Sequence, residues 1–254
     1  LILDAVNRKD FCQWNRPKFA WAEPDFDDSG WKDVRVPHDW GVEKSFDPAL
    51  PYGDAYLDVT GIGWYRLSVD VPAEWGDKTV YFECDGAMSY AMLNLNGKFM
   101  GGWPYGYTRW RVDLTKELVP GRNVIAIRCH NLRDSSRWYT GGGLYRRCRL
   151  LVCPRDHVLP GSVRITTPEV SRDRATVRVE YEMSLSGKKE RTFAVDKPRL
   201  WDIDDPYLYS VDVEGNAYRY GIRTISFHAD DRGFQLNGRR VPLNGVSMHH
   251  DFGV

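Results

Sequence analysis

The chain has 254 residues, and its 35 Lys and Arg balance 35 Asp and Glu, so the formal net charge is zero. This balance excludes the basic surface of a general nucleic-acid binder, and no apolar run approaches the ~20 residues that span a bilayer. The charge balance and the lack of a long apolar run lead us to expect neither a nucleic-acid nor a membrane partner. A hydrophobic share of 42% excludes a disordered chain, and 254 residues suffice for one large or two ordinary domains.

Apolar and polar residues alternate along most of the chain, which is typical of β-strands. In chain order the predicted strands are residues 63–71, 79–84, 90–95, 123–129, 144–152 and 174–185. In the last of these, Ala175, Val177 and Val179 alternate with polar residues, so one sheet face is predicted to be buried. Asn96-Gly97 and Asn237-Gly238 each separate two apolar stretches, as tight hairpin turns do.

A change of composition after Cys153 predicts a domain boundary. Residues 1–153 are rich in aromatic residues and glycine, whereas residues 154–226 are charged and rich in Thr and Val. This second block is shorter than the ~100 residues of an immunoglobulin-like sandwich. Residues 186–189 join two predicted strands abruptly, which favours the interpretation that loop segments have been omitted from this sequence. Residues 227–254 form a third block, a hairpin followed by an apolar stretch.

The five cysteines form no CxxC pair and no Cys/His ligand spacing. They are Cys12, Cys84, Cys129, Cys148 and Cys153. Thiols in apolar segments behave as small core residues, so all five are predicted to be structural. This use of cysteine favours a reducing compartment. We therefore expect a cytoplasmic protein, with a periplasmic or secreted one as the alternative if a leader has been removed.

Several short motifs follow one another in a fixed order along the chain. They are Val36-Pro37-His38-Asp39-Trp40, Gly61-Ile62-Gly63-Trp64-Tyr65-Arg66, Pro120-Gly121-Arg122-Asn123, Gly141-Gly142-Gly143-Leu144-Tyr145-Arg146 and Met248-His249-His250-Asp251-Phe252-Gly253. The ordered set closely resembles the N-terminal half of a family 2 glycoside hydrolase, the group that contains β-galactosidases, β-glucuronidases and β-mannosidases.

This resemblance implies an all-β fold. A jelly-roll, galactose-binding-like sandwich over residues 1–153 would be followed by an immunoglobulin-like sandwich over 154–226. Residues 227–254 would then supply a hairpin and the first strand of a (β/α)₈ barrel. We assign that strand to Val246-Ser247-Met248. The resemblance also implies a carbohydrate substrate and a homo-oligomer for the full-length protein.

The resemblance implies the chemistry of a retaining exo-β-glycosidase, which uses two glutamates ~5–5.5 Å apart as nucleophile and acid/base. The family's acid/base glutamate follows an asparagine, and no Asn-Glu dipeptide occurs in this sequence. Both glutamates are therefore expected beyond Val254, and this chain alone is expected to be inactive.

The preferred activity is that of a β-galactosidase acting on terminal β-D-galactosides, because His250 follows His249 where the glucuronidase branch usually has an acidic residue. A β-glucuronidase, a β-mannosidase and a stand-alone carbohydrate-binding module are the alternatives.

Three residues at the end of the last motif are the strongest candidates for substrate contact. His249, His250 and Asp251 come just after the predicted barrel strand, and residues at that end of a barrel strand face the active site. By resemblance, His249 would hydrogen-bond a sugar hydroxyl, while Asp251 would orient a histidine or hold a second hydroxyl. A structural loop and a metal site are the alternatives.

Two further positions are candidates within the predicted jelly roll. Asp58 precedes the Gly-x-x-Trp-Tyr strand, where a carboxylate would accept hydrogen bonds from two sugar hydroxyls or start an Asx-turn. Ser136 stands where some relatives have an aspartate that contacts sugar and sodium, so the resemblance puts a bound sodium in doubt. We expect that no cofactor is required, and a role for Na⁺ or Mg²⁺ is open.

Other motif residues are predicted to be architectural. Four aromatic residues are expected in the core, each with the polar atom of its ring hydrogen-bonded: Trp40, Trp64, Tyr65 and Trp138. Arginines at the motif ends, Arg66 and Arg146, are expected to pair with buried acids.

Overall fold

The computed structural model describes residues 18–133 and 135–247. In this part of the chain the regular structure consists of β-strands and three short 3₁₀ helices, Ala20–Ala22, Tyr52–Asp54 and Ala73–Asp77. The all-β prediction is therefore confirmed. None of these helices has the length and apolar character that a membrane span requires.

The chain divides between Pro154 and Arg155 into two compact units. The first contains β1 Gly61–Val71, β2 Thr79–Cys84, β3 Ala91–Leu95, β4 Lys98–Trp103, β5 Trp110–Asp113, β6 Gly121–Asn131 and β7 Cys148–Cys153. These strands form one sheet in the order β1-β6-β3-β4 and another in the order β5-β2-β7. Phe82 and Trp110 of the second sheet pack in one core with Leu93 and Ile127 of the first, so the unit is a β-sandwich.

Local sequence signals set several elements of this unit. The predicted strand over residues 79–84 is β2, and Asn96 and Gly97 both have positive φ, as their hairpin turn requires. The strand predicted over residues 144–152 begins only at Cys148. Before it, Gly141 and Gly143 have φ of 68° and 95°, so the backbone turns instead of extending.

The second unit contains eight strands. They are β8 Arg164–Val170, β9 Arg174–Met183, β10 Gly187–Asp196, β11 Tyr209–Val213, β12 Asn216–Tyr220, β13 Ile225–Phe227, β14 Phe234–Leu236 and β15 Arg239–Arg240. The sheets have the orders β10-β9-β8, β11-β12 and β13-β14-β15. Ala175, Val177 and Val179 are fully buried in a core with Val213 and Ile222, which confirms the predicted apolar face of β9.

The abrupt join at residues 186–189 is a hairpin turn. β9 and β10 pair continuously from Met183↔Gly187 to Arg174↔Asp196, and Gly187 supplies a φ of 77°. In this chain the two strands are thus in register up to this turn, and the absence of loop segments from the sequence stays a prediction.

The chain beyond the second hairpin differs from its prediction. The turn at Asn237-Gly238 is present, but the strand after it, β15, contains two arginines and ends before the apolar stretch that was expected to form it, residues 241–243. Val246 and Ser247 lie in no strand, and Met248 is outside the described residues. The predicted first barrel strand is therefore not among the described elements, and the predicted division into three domains stays a prediction.

Candidate functional site

Loops at one end of the first sandwich are tied together by a buried asparagine. Asn131, at the end of β6, is 1% exposed, and its Nδ2 donates to the carbonyls of Val59 and Gly141 at 2.9 Å and to Thr140 Oγ1 at 3.0 Å. A methyl group added at Gly53 would lie 3.4 Å from the backbone of Arg137. Residues 53–59 and 137–141 therefore form one group of loops.

A second set of hydrogen bonds attaches residues 39–41 to the same loops. Asp39 Oδ1 accepts from the amides of Gly41 and Gly142, at 2.9 Å and 2.8 Å. Its Oδ2 accepts from the Tyr139 hydroxyl at 2.8 Å. Burial, followed by this hydrogen bond, raises the pKa of Tyr139, so the phenol stays protonated and continues to donate.

The predicted core role of the Val-Pro-His-Asp-Trp motif is confirmed for its tryptophan. Trp40 and Tyr65 pack against the core of the first unit, and Trp40 Nε1 donates to the Val59 carbonyl at 3.0 Å. A methyl group at Gly142 would lie 2.2 Å from the Trp40 ring, so only glycine leaves room for the indole there.

Trp138 does not have the core position predicted for it. Its side chain is 49% exposed, and its Nε1 donates to the Tyr107 hydroxyl at 2.8 Å. Tyr107 in turn contacts Tyr105 edge to face, with ring centroids 5.5 Å apart. We call Tyr105, Tyr107 and Trp138 the aromatic surface. Exposed rings held at their edges can stack on the C–H face of a pyranose.

The two polar candidates of the first unit lie in these loops. Asp58 is about half exposed, and its Oδ2 is 3.2 Å from Lys44 Nζ, so a carboxylate oxygen is available at the surface for a ligand hydroxyl. Ser136 Oγ donates to the Trp138 carbonyl at 2.9 Å and so closes the turn before that ring.

An arginine-rich cavity adjoins the aromatic surface. It has a volume of about 630 Å³ and is lined by Pro37, Asp85, Arg109, Tyr145, Arg146 and Arg147. Arg109 Nε pairs with Asp85 Oδ1 at 2.7 Å. The guanidinium of Arg146 lies 5.3 Å above the Tyr145 ring and 3.5 Å from the Tyr107 carbonyl. The cavity therefore carries more positive than negative charge and suits an anionic group.

The predicted pairing of motif arginines with buried acids is wrong for Arg146, which is exposed and stacks on Tyr145. Arg66 has a buried side chain, but its acid, Asp28, is about half exposed at 2.8 Å. The rest of the Arg66 guanidinium donates to the backbone carbonyls of Trp21 and Glu23. A guanidinium has five donors, and three of the four hydrogen bonds of the Arg66 side chain to described residues go to carbonyls, the third being that of Phe26.

The remaining predicted site residues, His249, His250 and Asp251, lie outside the described residues. Within residues 18–133 and 135–247 there is no group of three or more His, Cys, Asp or Glu side chains that could hold a metal ion.

Comparison with known proteins places this architecture in a family. The model of the family Glycosyl hydrolases family 2 matches residues 155–223. The chain is 33% identical to Beta-galactosidase BoGH2A of Bacteroides ovatus, over 91% of this chain and 33% of that protein. The chain belongs to glycosyl hydrolase family 2.

Two solved structures share the fold. A family 2 member from Bacteroides cellulosilyticus superposes with a TM-score of 0.77 at 28% identity, covering 87% of this chain and 35% of that one. A Bacteroides uniformis beta-glucuronidase superposes with a TM-score of 0.74 at 26% identity, covering 89% and 33%. The chain thus spans about a third of the length of these relatives, of which one is named a beta-galactosidase and another a beta-glucuronidase.

The sequence did not indicate the aromatic surface or the arginine-rich cavity of this family 2 chain. The exposure of Trp138 depends on the path of residues 135–141 and on Tyr107, which is distant in sequence. The available signal was the run Ser135-Ser136-Arg137-Trp138, in which polar residues precede an aromatic residue.

Proposed function

We propose that this chain is the β-sandwich part of a retaining exo-β-glycosidase, most specifically a β-galactosidase that removes terminal β-D-galactosides. The observation that carries the proposal is the group of loops joined by Asn131 in a family 2 sandwich, because these loops contain two exposed side chains that can contact a sugar, Asp58 and Trp138. These loops would form part of the rim of the sugar pocket.

The chemistry of each group fits a sugar ligand. A pyranose has one face of C–H groups, which a ring such as Trp138 can cover, and hydroxyls at its edge, which a carboxylate such as Asp58 can bind. His249, His250 and Asp251 are proposed to supply further contacts to sugar hydroxyls. The nucleophile and acid/base glutamates are proposed to lie in the barrel and not in this chain.

Exposed apolar residues near the end of the second unit support a larger assembly. Phe227, Leu243 and Val246 are 76%, 71% and 91% exposed. Large apolar side chains that are exposed to water do not contribute the stabilisation that their burial would give. A barrel packed on residues 225–247 would cover them.

The proposal is tested by assaying the protein that contains this chain on p-nitrophenyl β-galactoside and β-glucuronide. We expect kcat/KM to favour the galactoside by about tenfold or more. A preference for the glucuronide would support the second candidate, a β-glucuronidase, which the arginines lining the cavity beside Tyr145 favour because they could bind a sugar carboxylate. Failure to cleave any β-glycoside would contradict both.

Replacing Trp138 with alanine is expected to raise KM for the preferred glycoside about tenfold, which corresponds to ~1.4 kcal/mol of stacking lost from the bound state. The measurement is steady-state kinetics. Trp21→Ala is the matched control, because Trp21 is similarly exposed at 44% but stacks on Phe19 instead of the aromatic surface. Equal effects of the two substitutions would argue against a role of Trp138 in substrate binding.

A further inference from the structure

Two cysteines that are far apart in the sequence face each other in the second sheet of the first unit. Cys84 is the last residue of β2, Cys148 is the first residue of β7, and the two are partners in the antiparallel register. Cys84 is fully buried in the core cluster, and Cys148 is half-buried and packs against the same cluster. Both side chains therefore lie on the inner face of this sheet.

The hydrogen bonds next to this pair define its geometry. The adjacent partners are Asp85 and Arg147, and the Asp85 amide donates to the Arg147 carbonyl at 2.9 Å. In an antiparallel ladder, hydrogen-bonded and non-hydrogen-bonded pairs alternate. Cys84 and Cys148 are therefore a non-hydrogen-bonded pair, the type in which Cα atoms are about 4.5 Å apart and side chains are closest. This separation lies within the range of about 4.4–6.8 Å that a disulfide bridges.

The two thiols also affect each other's ionisation. Their mutual interaction lowers the pKa of the Cys84 thiol and raises that of Cys148, while in the structure their Sγ atoms donate to the carbonyls of Gly86 and Arg146. Of the pair, Cys84 is thus the one that ionises more readily, and the thiolate is the nucleophile in thiol–disulfide exchange. Cys148 is the more exposed of the two and is the one that an external reagent reaches first.

We propose that Cys84 and Cys148 form a reversible disulfide between β2 and β7 when the protein meets an oxidised small-molecule disulfide. Cys148, the thiol that the reagent reaches, gives its proton to the solvent and attacks the external disulfide, forming a mixed disulfide and releasing one thiol. The raised pKa of Cys148 makes this first step the slow one. The Cys84 thiolate then attacks Cys148 Sγ, and the second external thiol leaves. Two protein thiols are oxidised to one disulfide, and one external disulfide is reduced to two thiols, so atoms and electrons balance.

The position of the bond gives it a consequence for the candidate site. The segment between the two cysteines contains Tyr105, Tyr107 and Trp138, and the neighbours Asp85 and Arg147 line the arginine-rich cavity. A disulfide at the base of this segment closes a long loop and restricts the unfolded chain, which stabilises the folded state. The inference does not depend on the proposed glycosidase function.

The experiment is oxidation of the purified protein with oxidised glutathione, both in the folded state and during refolding from urea. Remaining thiols are then blocked with N-ethylmaleimide, and the digest is analysed by mass spectrometry. We expect a linked Cys84–Cys148 peptide, a rise in Tm of about 5 °C or more, and reversal of both by dithiothreitol.

Matched variants make the outcome specific. Cys148→Ala should abolish both the linked peptide and the rise in Tm. Cys153→Ala is the control and should retain both, because Cys153 is at the other end of β7 opposite Thr79. A mixed disulfide that stays on Cys148, a link from Cys84 to Cys129, or a Tm rise that persists in Cys148→Ala would each overturn the proposal.

Discussion

Replacing Glu83 with alanine is expected to destabilise the first unit by about 2–4 kcal/mol, because the change leaves two arginines without their main acceptor. Glu83 is in the central strand β2 and is 2% exposed. Its register partners are Arg111 of β5 and Arg149 of β7, and both side chains donate to its carboxylate, Arg149 Nε at 2.8 Å. The carboxylate therefore joins all three strands of this sheet.

Urea unfolding at neutral pH measures this loss. The matched control is Glu190→Ala, which removes a carboxylate 2.6 Å from Arg178 at a site where both side chains are nearly half exposed. An exposed pair of this kind contributes about 0–1 kcal/mol. If both substitutions lower the free energy of unfolding by the same small amount, the Glu83 network is not a stabilising element.

Replacing Asn131 with alanine is the second change with a large expected effect, a loss of about 2–3 kcal/mol in the free energy of unfolding. Its amide is the shared donor to Val59, Thr140 and Gly141. After the substitution the Val59 carbonyl keeps the Trp40 indole and the Gly141 carbonyl keeps the Thr140 hydroxyl, so the loss is that of three buried hydrogen bonds at about 1 kcal/mol each. Because the same bonds hold the loops of the candidate site together, the loops should also loosen.

Two measurements separate these consequences. Urea unfolding reports the stability, and limited proteolysis reports cleavage within residues 53–59 and 135–141. Asn216→Ala is the control, because the Asn216 amide donates to Val213 and Glu214 in a surface turn of the other unit at 3.4 Å and 3.2 Å. Unchanged proteolysis of the Asn131 variant would mean that other contacts hold the loops.

The sequence could predict the features of this fold that depend on neighbouring residues. The period of two in residues 175–183 indicated a strand with one buried face, because alternate side chains point to opposite sides of a sheet. Asn96-Gly97 predicted a turn because the tolerance of Asn and Gly for positive φ depends on the residue type and not on distant contacts. The ordered motifs likewise predicted family 2 membership.

Only the tertiary structure decided which distant residues meet. Glu83 and Asn131 belong to ordinary strand patterns, and their roles arise from Arg149 in one case and Val59 in the other. Trp138 was predicted to be buried, whereas its loop holds it at the surface by a bond to Tyr107. Cys84 and Cys148 face each other because β2 pairs with β7 in one particular register. An alternating pattern shows which face of a strand is apolar, but it carries no information about the partner strand or its register.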